Sequence, residues 1–215
     1  MHRLRIKFSR GEEVKFISHL DIIRLWQRAF RRADIPLAYS EGFNPHPKIS
    51  VAAPLPLGVT GEAELMDIFL SKWVTPHHFM SAVGRELPPG IAISQVYPIG
   101  FTLPSLQSQV AFAEYRVEME AEKELKEVES TLASLLMKKS LPWQHQRDTG
   151  VHSYDLRALV DELWVIGWSA PCGVLGMKLR CDGSGSGRPE QVALALGFTR
   201  RPRSIHRTKL ILKGQ

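Results

Sequence analysis

The segment from Phe16 to Pro56, FISHLDIIRLWQRAFRRADIPLAYSEGFNPHPKISVAAPLP, constrains the fold more than any other part of the chain. It holds one helix, one short strand and one stiff loop. Ser18 with Asp21 three residues later is a Ser-x-x-acid capping signal, which supplies acceptors to first-turn amides. The spacing then predicts a helix with Leu20, Ile23, Phe30 and Ala33 as its apolar stripe, flanked by Ile22, Trp26 and Ala29. Arg24, Arg28, Arg31 and Arg32 recur at helical spacing on another face. Pro36 stops the helix, because proline disfavours helical geometry at the residue before it. A short strand is expected around Leu37–Ser40. In the loop that follows, Gly42 permits a positive φ, and Pro45 and Pro47 stiffen the backbone on both sides of His46. Phe43, Asn44, His46 and Lys48 are displayed together there.

The rest of the chain supplies the elements this segment needs. Leu4, Ile6 and Phe8 alternate with Arg3, Arg5 and Lys7, the pattern of a half-buried strand with a basic outer face. Ile49–Pro56 reads as extended and Glu62–Leu70 as a strand. Thr75-Pro76 is a cap followed by Pro at the first helical position, and this helix should run to about Glu86. Ile91–Ile99 is another strand. After a polar joint at Gly100–Gln109, strands are expected at Phe112–Met119, Leu163–Trp168, Val174–Arg180 and Ile205–Leu212. Helices are expected at Glu120–Lys139 and Pro189–Leu196. Leu141–Leu156 has no clear period. The fold class is therefore α+β, and the element order suggests two tandem ferredoxin-like (βαββαβ) units. The expected domains are residues 1–100, carrying the capped helix and the stiff loop, and residues 110–215.

Composition narrows the function classes. Of 215 residues, 44% are hydrophobic and 23% charged, as in ordinary globular chains. Apolar runs are too short to span a bilayer, and the N-terminus lacks the apolar core of a signal peptide, so a cytoplasmic protein without a membrane role is expected. Two cysteines, Cys172 and Cys181, support neither a disulfide framework nor a Cys-ligated cluster; they read as buried thiols. The net charge of +6 suggests a polyanionic partner. RNA is the expected one, held by Arg24, Arg28, Arg31, Arg32 and Lys48, and by Arg200, Arg201, Arg203 and Arg207 near the C-terminus.

A pocket is also expected. In a βαββ order, the connection before the first helix and the loop between the second and third strands emerge at one end of the sheet. That would bring Ser18, His19 and Asp21 to Tyr39, Gly42, Phe43, Asn44 and His46, beside the free amides of a helix N-terminus. His19 and His46 are then candidates for an acid–base pair, the basis of a metal-independent endoribonuclease reading. His19, Asp21 and His46 are also residue types of a facial metal set. Asp21 is better used in the cap, so neither a metal nor a cofactor is expected. Gly183-Ser184-Gly185-Ser186-Gly187 lacks the Lys-Ser/Thr ending of a phosphate-binding loop and reads as a mobile loop.

Several strings coincide with one family. They are Phe16-Ile17-Ser18-His19-Leu20-Asp21, Arg28-Ala29 with Arg31-Arg32-Ala33, Tyr39-Ser40-x-Gly42-Phe43-Asn44-Pro45-His46-Pro47 and Pro54-Leu55-Pro56-x-Gly58. Here the chain resembles the uncharacterised bacterial domain linked to radical SAM proteins, most strongly over residues 3–70. Asp155-Leu156-Arg157, Arg188-Pro189-Glu190 and Arg207-Thr208 are further points of likeness. The resemblance implies a radical SAM partner, often a cobalamin-dependent one, and assigns no catalytic residue. The Cys-x-x-x-Cys-x-x-Cys cluster motif is missing, so the chain would be the companion. Three functions are consistent with these residues: a non-catalytic RNA-binding module that presents tRNA or rRNA to that enzyme, the endoribonuclease, and a protein-interaction subunit that binds no nucleic acid. A more distant likeness is to tandem-ferredoxin CRISPR repeat-processing endoribonucleases. Their Gly-rich loop before the last strand has no counterpart in the Gly-free Thr199–Ser204.

Overall fold

The computed structural model describes residues 1–147 and 150–214. Positions 148 and 149, inside the stretch without a clear period, and Gln215, the end of the second expected domain, lie outside the described residues. The chain is α+β with mostly antiparallel strands, and it divides into two compact units, Met1–Val110 and Ala111–Gln215.

The first unit contains β1 (His2–Arg10), α1 (His19–Arg32), β2 (Ile49–Val51), β3 (Thr60–Leu70), α2 (Pro76–Gly84), β4 (Ile91–Ile99) and the short α3 (Leu106–Gln109). β1 lies between β3 and β4, β2 pairs with β3 at the edge, and every pairing is antiparallel. Ile22, Trp26, Ala29 and Phe30 of α1 are buried and pack with Leu4, Ile6, Phe8, Met66 and Ile68. An aromatic row crosses this core, with Phe8, Trp26, Phe30 and Phe79 at successive centroid distances of 5.1, 5.4 and 5.8 Å. Leu20 departs from the expected stripe. It sits in the first turn of α1, beyond the apolar face, and is 66% exposed.

α1 ends before Pro36 can act on it. Asp34 has φ of 52°. The Ile35 amide donates to the Phe30 carbonyl at 2.9 Å and the Asp34 amide to the Arg31 carbonyl at 3.2 Å. This is a Schellman turn, with aspartate where glycine is commonest.

β1 also departs from expectation. Its presumed basic outer face is buried, with Arg3 at 3% and Arg5 at 5% exposure. Both guanidiniums converge on Asp67, which has no exposed surface, through bonds of 2.7 to 3.2 Å. Arg3 donates further to the carbonyls of Leu103 and Pro104. Burial opposes the charge on Arg5, but the bonds to Asp67 and its negative charge outweigh that and raise the Arg5 pKa. β1 has a paired strand on each side, β3 and β4, and residues of both its faces are buried.

The second unit contains β5 (Val110–Glu120), α4 (Leu125–Met137), β6 (Pro142–Arg147), β7 (Gly150–Asp155), β8 (Val160–Ser169), β9 (Cys172–Asp182), β10 (Gly185–Ser186), α5 (Pro189–Ala195) and β11 (Ser204–Leu212). β9 pairs with β8, β10 and β5, and β11 neighbours β5. Within the stretch without a clear period, β6 and β7 pair antiparallel as a two-stranded sheet of their own. α4 starts five residues later than expected, because β5 continues to Glu120 and stays paired there with Cys172. Cys172 and Cys181 are half-buried, not fully buried, and are not joined in a disulfide.

Candidate functional site

The end of the first unit where β1 runs into α1 is organised by one guanidinium. Arg10 is 4% exposed and donates to the carbonyls of Val14, Lys15, Ile17 and Leu55. The Gly58 amide donates to the Lys15 carbonyl at 2.9 Å. The Pro54–Gly58 motif is thereby tied to the connection before α1. The α1 N-terminus follows: Ser18 Oγ accepts from the Asp21 amide and donates to the Asp21 carboxylate at 2.7 Å. Asp21 also pairs with Arg24 at 2.9 Å. The Ser18 bond and then Arg24 hold the Asp21 pKa below the usual carboxylate range. His19 is half-buried, and burial, then the Arg10 charge, lowers its pKa.

The stiff loop is not at this end. The strand that pairs with β3 is Ile49–Val51, which follows the loop, and not Leu37–Ser40, which precedes it. Leu37–Ser40 makes only isolated bridges, Leu37 with Leu70 and Tyr39 with Pro47. Ile49 faces Ile68, which faces Leu4 near the start of β1, whereas α1 begins beyond Arg10 at the other end of β1. Those six residues of strand separate the two ends by about 20 Å. The connection that does reach the α1 N-terminus is the one after β2, which carries Leu55 and Gly58. Ser18, His19 and Asp21 therefore share one end, while Tyr39, Gly42, Phe43, Asn44 and His46 share the other. The single pocket expected from the sequence does not form, and His19 and His46 do not make an acid–base pair. The loop itself is a hairpin. The Ser40 amide donates to the His46 carbonyl, the His46 amide donates to Ser40 Oγ, and Gly42 has φ of 122°. Phe43 and His46 are exposed at its tip.

The two basic segments have different surroundings. Arg24, Arg28, Arg31 and Arg32 are all exposed on α1. Arg24 is paired with Asp21, whose charge Arg28 also feels, while Arg28, Arg31 and Arg32 form no ion pair among the described residues. Lys48 is half-buried beside β2. Near the C-terminus, Arg200 pairs with Glu120 and Glu122, Arg203 with Glu120, and Lys209 with Glu114. Arg207 is 1% exposed, out of reach of a polyanion. Arg201 alone of the four expected contacts there is exposed without an ion pair among the described residues. The acids of β5 thus neutralise most of the basic stretch before and in β11.

The second unit holds a cleft of about 430 Å³ that the sequence pattern does not announce. Its walls come from β7, β9, β10 and the start of α5. The Gly-Ser repeat is one of those walls and not a free linker: Gly185 and Ser186 pair with Asp182 and Cys181. The signal available in the sequence is the arginine on each side of the repeat, Arg180 and Arg188.

Comparison with solved structures finds the same architecture in a Cbf5-Nop10-Gar1 complex, with TM-score 0.51 and 8% identity, covering 97% of this chain and 48% of that one. An archaeal box H/ACA sRNP Nop10-Cbf5 complex matches with TM-score 0.48 and 10% identity, over 97% and 47%. The chain thus spans about half the length of the solved chains it matches. No curated protein matches it. A family model covers residues 3–189, and the chain belongs to that family, DUF2344, described as uncharacterised proteins conserved in bacteria.

Proposed function

We propose that this protein is a non-catalytic RNA-binding module that presents tRNA or rRNA to a radical SAM enzyme. One observation carries the RNA half of the reading: Arg28, Arg31 and Arg32 stand exposed on one helix and form no ion pair among the described residues. Phosphate groups are the natural counter-charge for such a face. The fold likeness to the solved complexes bears on architecture only. The radical SAM half rests on the resemblance of the Phe16–Gly58 strings. Phe16, Leu20 and Leu57, which are 74, 66 and 63% exposed around the Arg10-tied end, offer that enzyme an apolar contact. The reading also takes the two units as tandem ferredoxin-like modules. It is supported by strand orders of β2-β3-β1-β4 in the first and β8-β9-β5-β11 in the second. An endoribonuclease built on His19 and His46 has no support, since the two residues lie at different ends of their unit.

Replacing Arg28, Arg31 and Arg32 together by Ala tests the RNA half. RNA affinity should fall, and the slope of log affinity against log salt should flatten by about 0.7–0.9 for each phosphate that is no longer neutralised. Unchanged affinity and slope in a variant of normal thermal stability would move the RNA site off α1, and no measurable RNA binding by the wild type would favour a protein-interaction subunit without nucleic acid.

A further inference from the structure

We infer that the stiff-loop end of the first unit binds unpaired nucleotides of an RNA strand, with Tyr39, Phe43 and Trp73 stacking on bases and Arg31, Arg32 and Lys72 holding phosphates. This deepens the RNA reading, on which it rests, from RNA in general to single-stranded segments.

The fold brings three parts of the chain to this end. Leu70, the last residue of β3, pairs with His2 and bridges to Leu37. The Ser71 amide and hydroxyl both donate to the Pro36 carbonyl, at 2.9 and 3.1 Å. The chain leaving α1 is thereby fixed to the chain leaving β3. Arg31 and Arg32 close α1 a few residues before Pro36, and Lys72 and Trp73 follow Ser71 directly. The base of the stiff loop is fixed to the same strand end. The Ala38 amide donates to the Phe69 carbonyl, the Phe69 amide to the Lys48 carbonyl and the Lys48 amide to the Ala38 carbonyl, at 2.7, 3.1 and 2.8 Å. Tyr39 and Phe43 lie between those anchors.

The rings at this end are uncovered. Phe43 is fully exposed, and Tyr39 and Trp73 are 54 and 48% exposed. The Trp73 ring is steadied by His2, whose ring packs against it at 5.3 Å. A single exposed ring is ordinary. Several at one end, outside the aromatic row of Phe8, Trp26, Phe30 and Phe79, contribute little to the core. Pro45, Pro47 and the Ser40–His46 bonds hold the loop in place before any ligand arrives, so binding orders little that was free.

The charge at this end is positive. From Arg28 to Lys48 the chain carries Arg28, Arg31, Arg32 and Lys48 against Asp34 and Glu41, and Lys72 adds to the excess. Arg31, Arg32 and Lys72 are exposed and form no ion pair among the described residues. Exposed rings beside exposed cations are the two parts of a single-strand site, because a ring stacks on any base while cations follow the backbone. A duplex would engage the cations alone, since its base faces are stacked inside it. An apolar protein surface would cover the rings and leave the cations without a counter-charge.

Fluorescence anisotropy of labelled oligoadenylate of about 12 nucleotides, alone and annealed to oligouridylate, tests this on the full chain. The single strand should bind more tightly than the duplex at the same salt. Phe43→Ala should weaken single-strand binding about tenfold, the loss of roughly one stacked base. Its salt slope and its affinity for the duplex should not change, and thermal unfolding should match the wild type because Phe43 is fully exposed. Phe43→Trp should keep the single-strand affinity. Phe43→Leu should lose it, since Leu keeps apolar bulk without a flat ring. A duplex bound as tightly as the single strand, or Phe43→Leu binding as the wild type does, would overturn the inference. Phe43→Ala with wild-type affinity would overturn it too, leaving the rings to a protein contact, while a weakened α1 triple variant in the same assay would keep the RNA reading. No binding of either RNA by the wild type would overturn both.

Discussion

Arg28, Arg31 and Arg32 stand exposed on α1 without an ion pair among the described residues, whereas Arg200 and Arg203 lie against Glu120 and Glu122. In the sequence the two segments look equally basic. The difference arises because β5 brings its own acids alongside the second segment from about eighty positions away. A third group, Arg3 and Arg5, is buried and shares Asp67. Basic residues thus fall into three physical states: desolvated and paired, surface and counter-charged, surface and unpaired. Only the last leaves a field that a polyanion can use.

The largest effect should come from the buried group. Asp67→Ala leaves two guanidiniums desolvated with their shared anion gone. Breaking such a pair typically costs about 3–5 kcal/mol. Urea unfolding of Asp67→Ala should therefore show a large loss of stability, and Asp67→Asn, which keeps the shape, a smaller one. A loss no bigger than that of an average surface substitution would show that β1 tolerates its arginines without the carboxylate.

The contrast between the two surface groups is tested by RNA affinity. The Arg28, Arg31 and Arg32 triple Ala variant should bind RNA more weakly, with a flattened salt slope. Arg200→Ala combined with Arg203→Ala should leave both near wild type, because exposed pairs with Glu120 already screen those charges. Equal losses in the two variants would break the distinction and extend the interface across both units.

A smaller effect concerns how α1 is ended. Asp34 holds a positive φ that glycine adopts without steric cost. Asp34→Gly should stabilise the first unit by up to about 1 kcal/mol, with RNA affinity unchanged. The denaturation midpoint checks it. No gain would mean that the entropy glycine adds to the unfolded chain cancels the relief of strain.

The sequence exposed local chemistry well. Ser18 and Thr75 cap α1 and α2 through their side chains, Pro76 opens α2, and β4 spans Ile91–Ile99 as its pattern indicates. Pairing was less legible. Leu37–Ser40 and Ile49–Val51 are both extended, and nothing local to either says which one β3 will take. That one ambiguity moved the stiff loop to the wrong end and created a pocket that does not form. The burial of Arg3 and Arg5 was hidden for a related reason, since their partner Asp67 lies more than sixty positions away. In Gly183–Gly187, composition alone suggested freedom. The constraint comes from Asp182 beneath the turn and from Leu159 behind it, and neither relation has a period.

The smallest expected effect is a pH dependence at His19. Burial disfavours its imidazolium, and the Arg10 guanidinium repels it. The α1 N-terminus, where His19 is the first residue, adds partial positive charge of the same sign. The folded pKa is therefore below the value of about 6.5 that an unfolded chain would show. At acid pH the unfolded state binds the proton more readily, so stability must fall as pH drops through the window below that value and is regained above it. His19→Gln removes the titrating group. Denaturant midpoints measured from about pH 7.5 to about pH 5 should decline more steeply in the wild type than in this variant. All other groups are common to the two proteins and cancel in the difference. Matching slopes would show that neither burial nor the Arg10 charge disfavours the His19 imidazolium. A steeper wild-type slope would show that burial and then the Arg10 charge disfavour the imidazolium at this end, which a buried cation organises, whereas backbone bonds and the Ser40 hydroxyl hold the loop at the other.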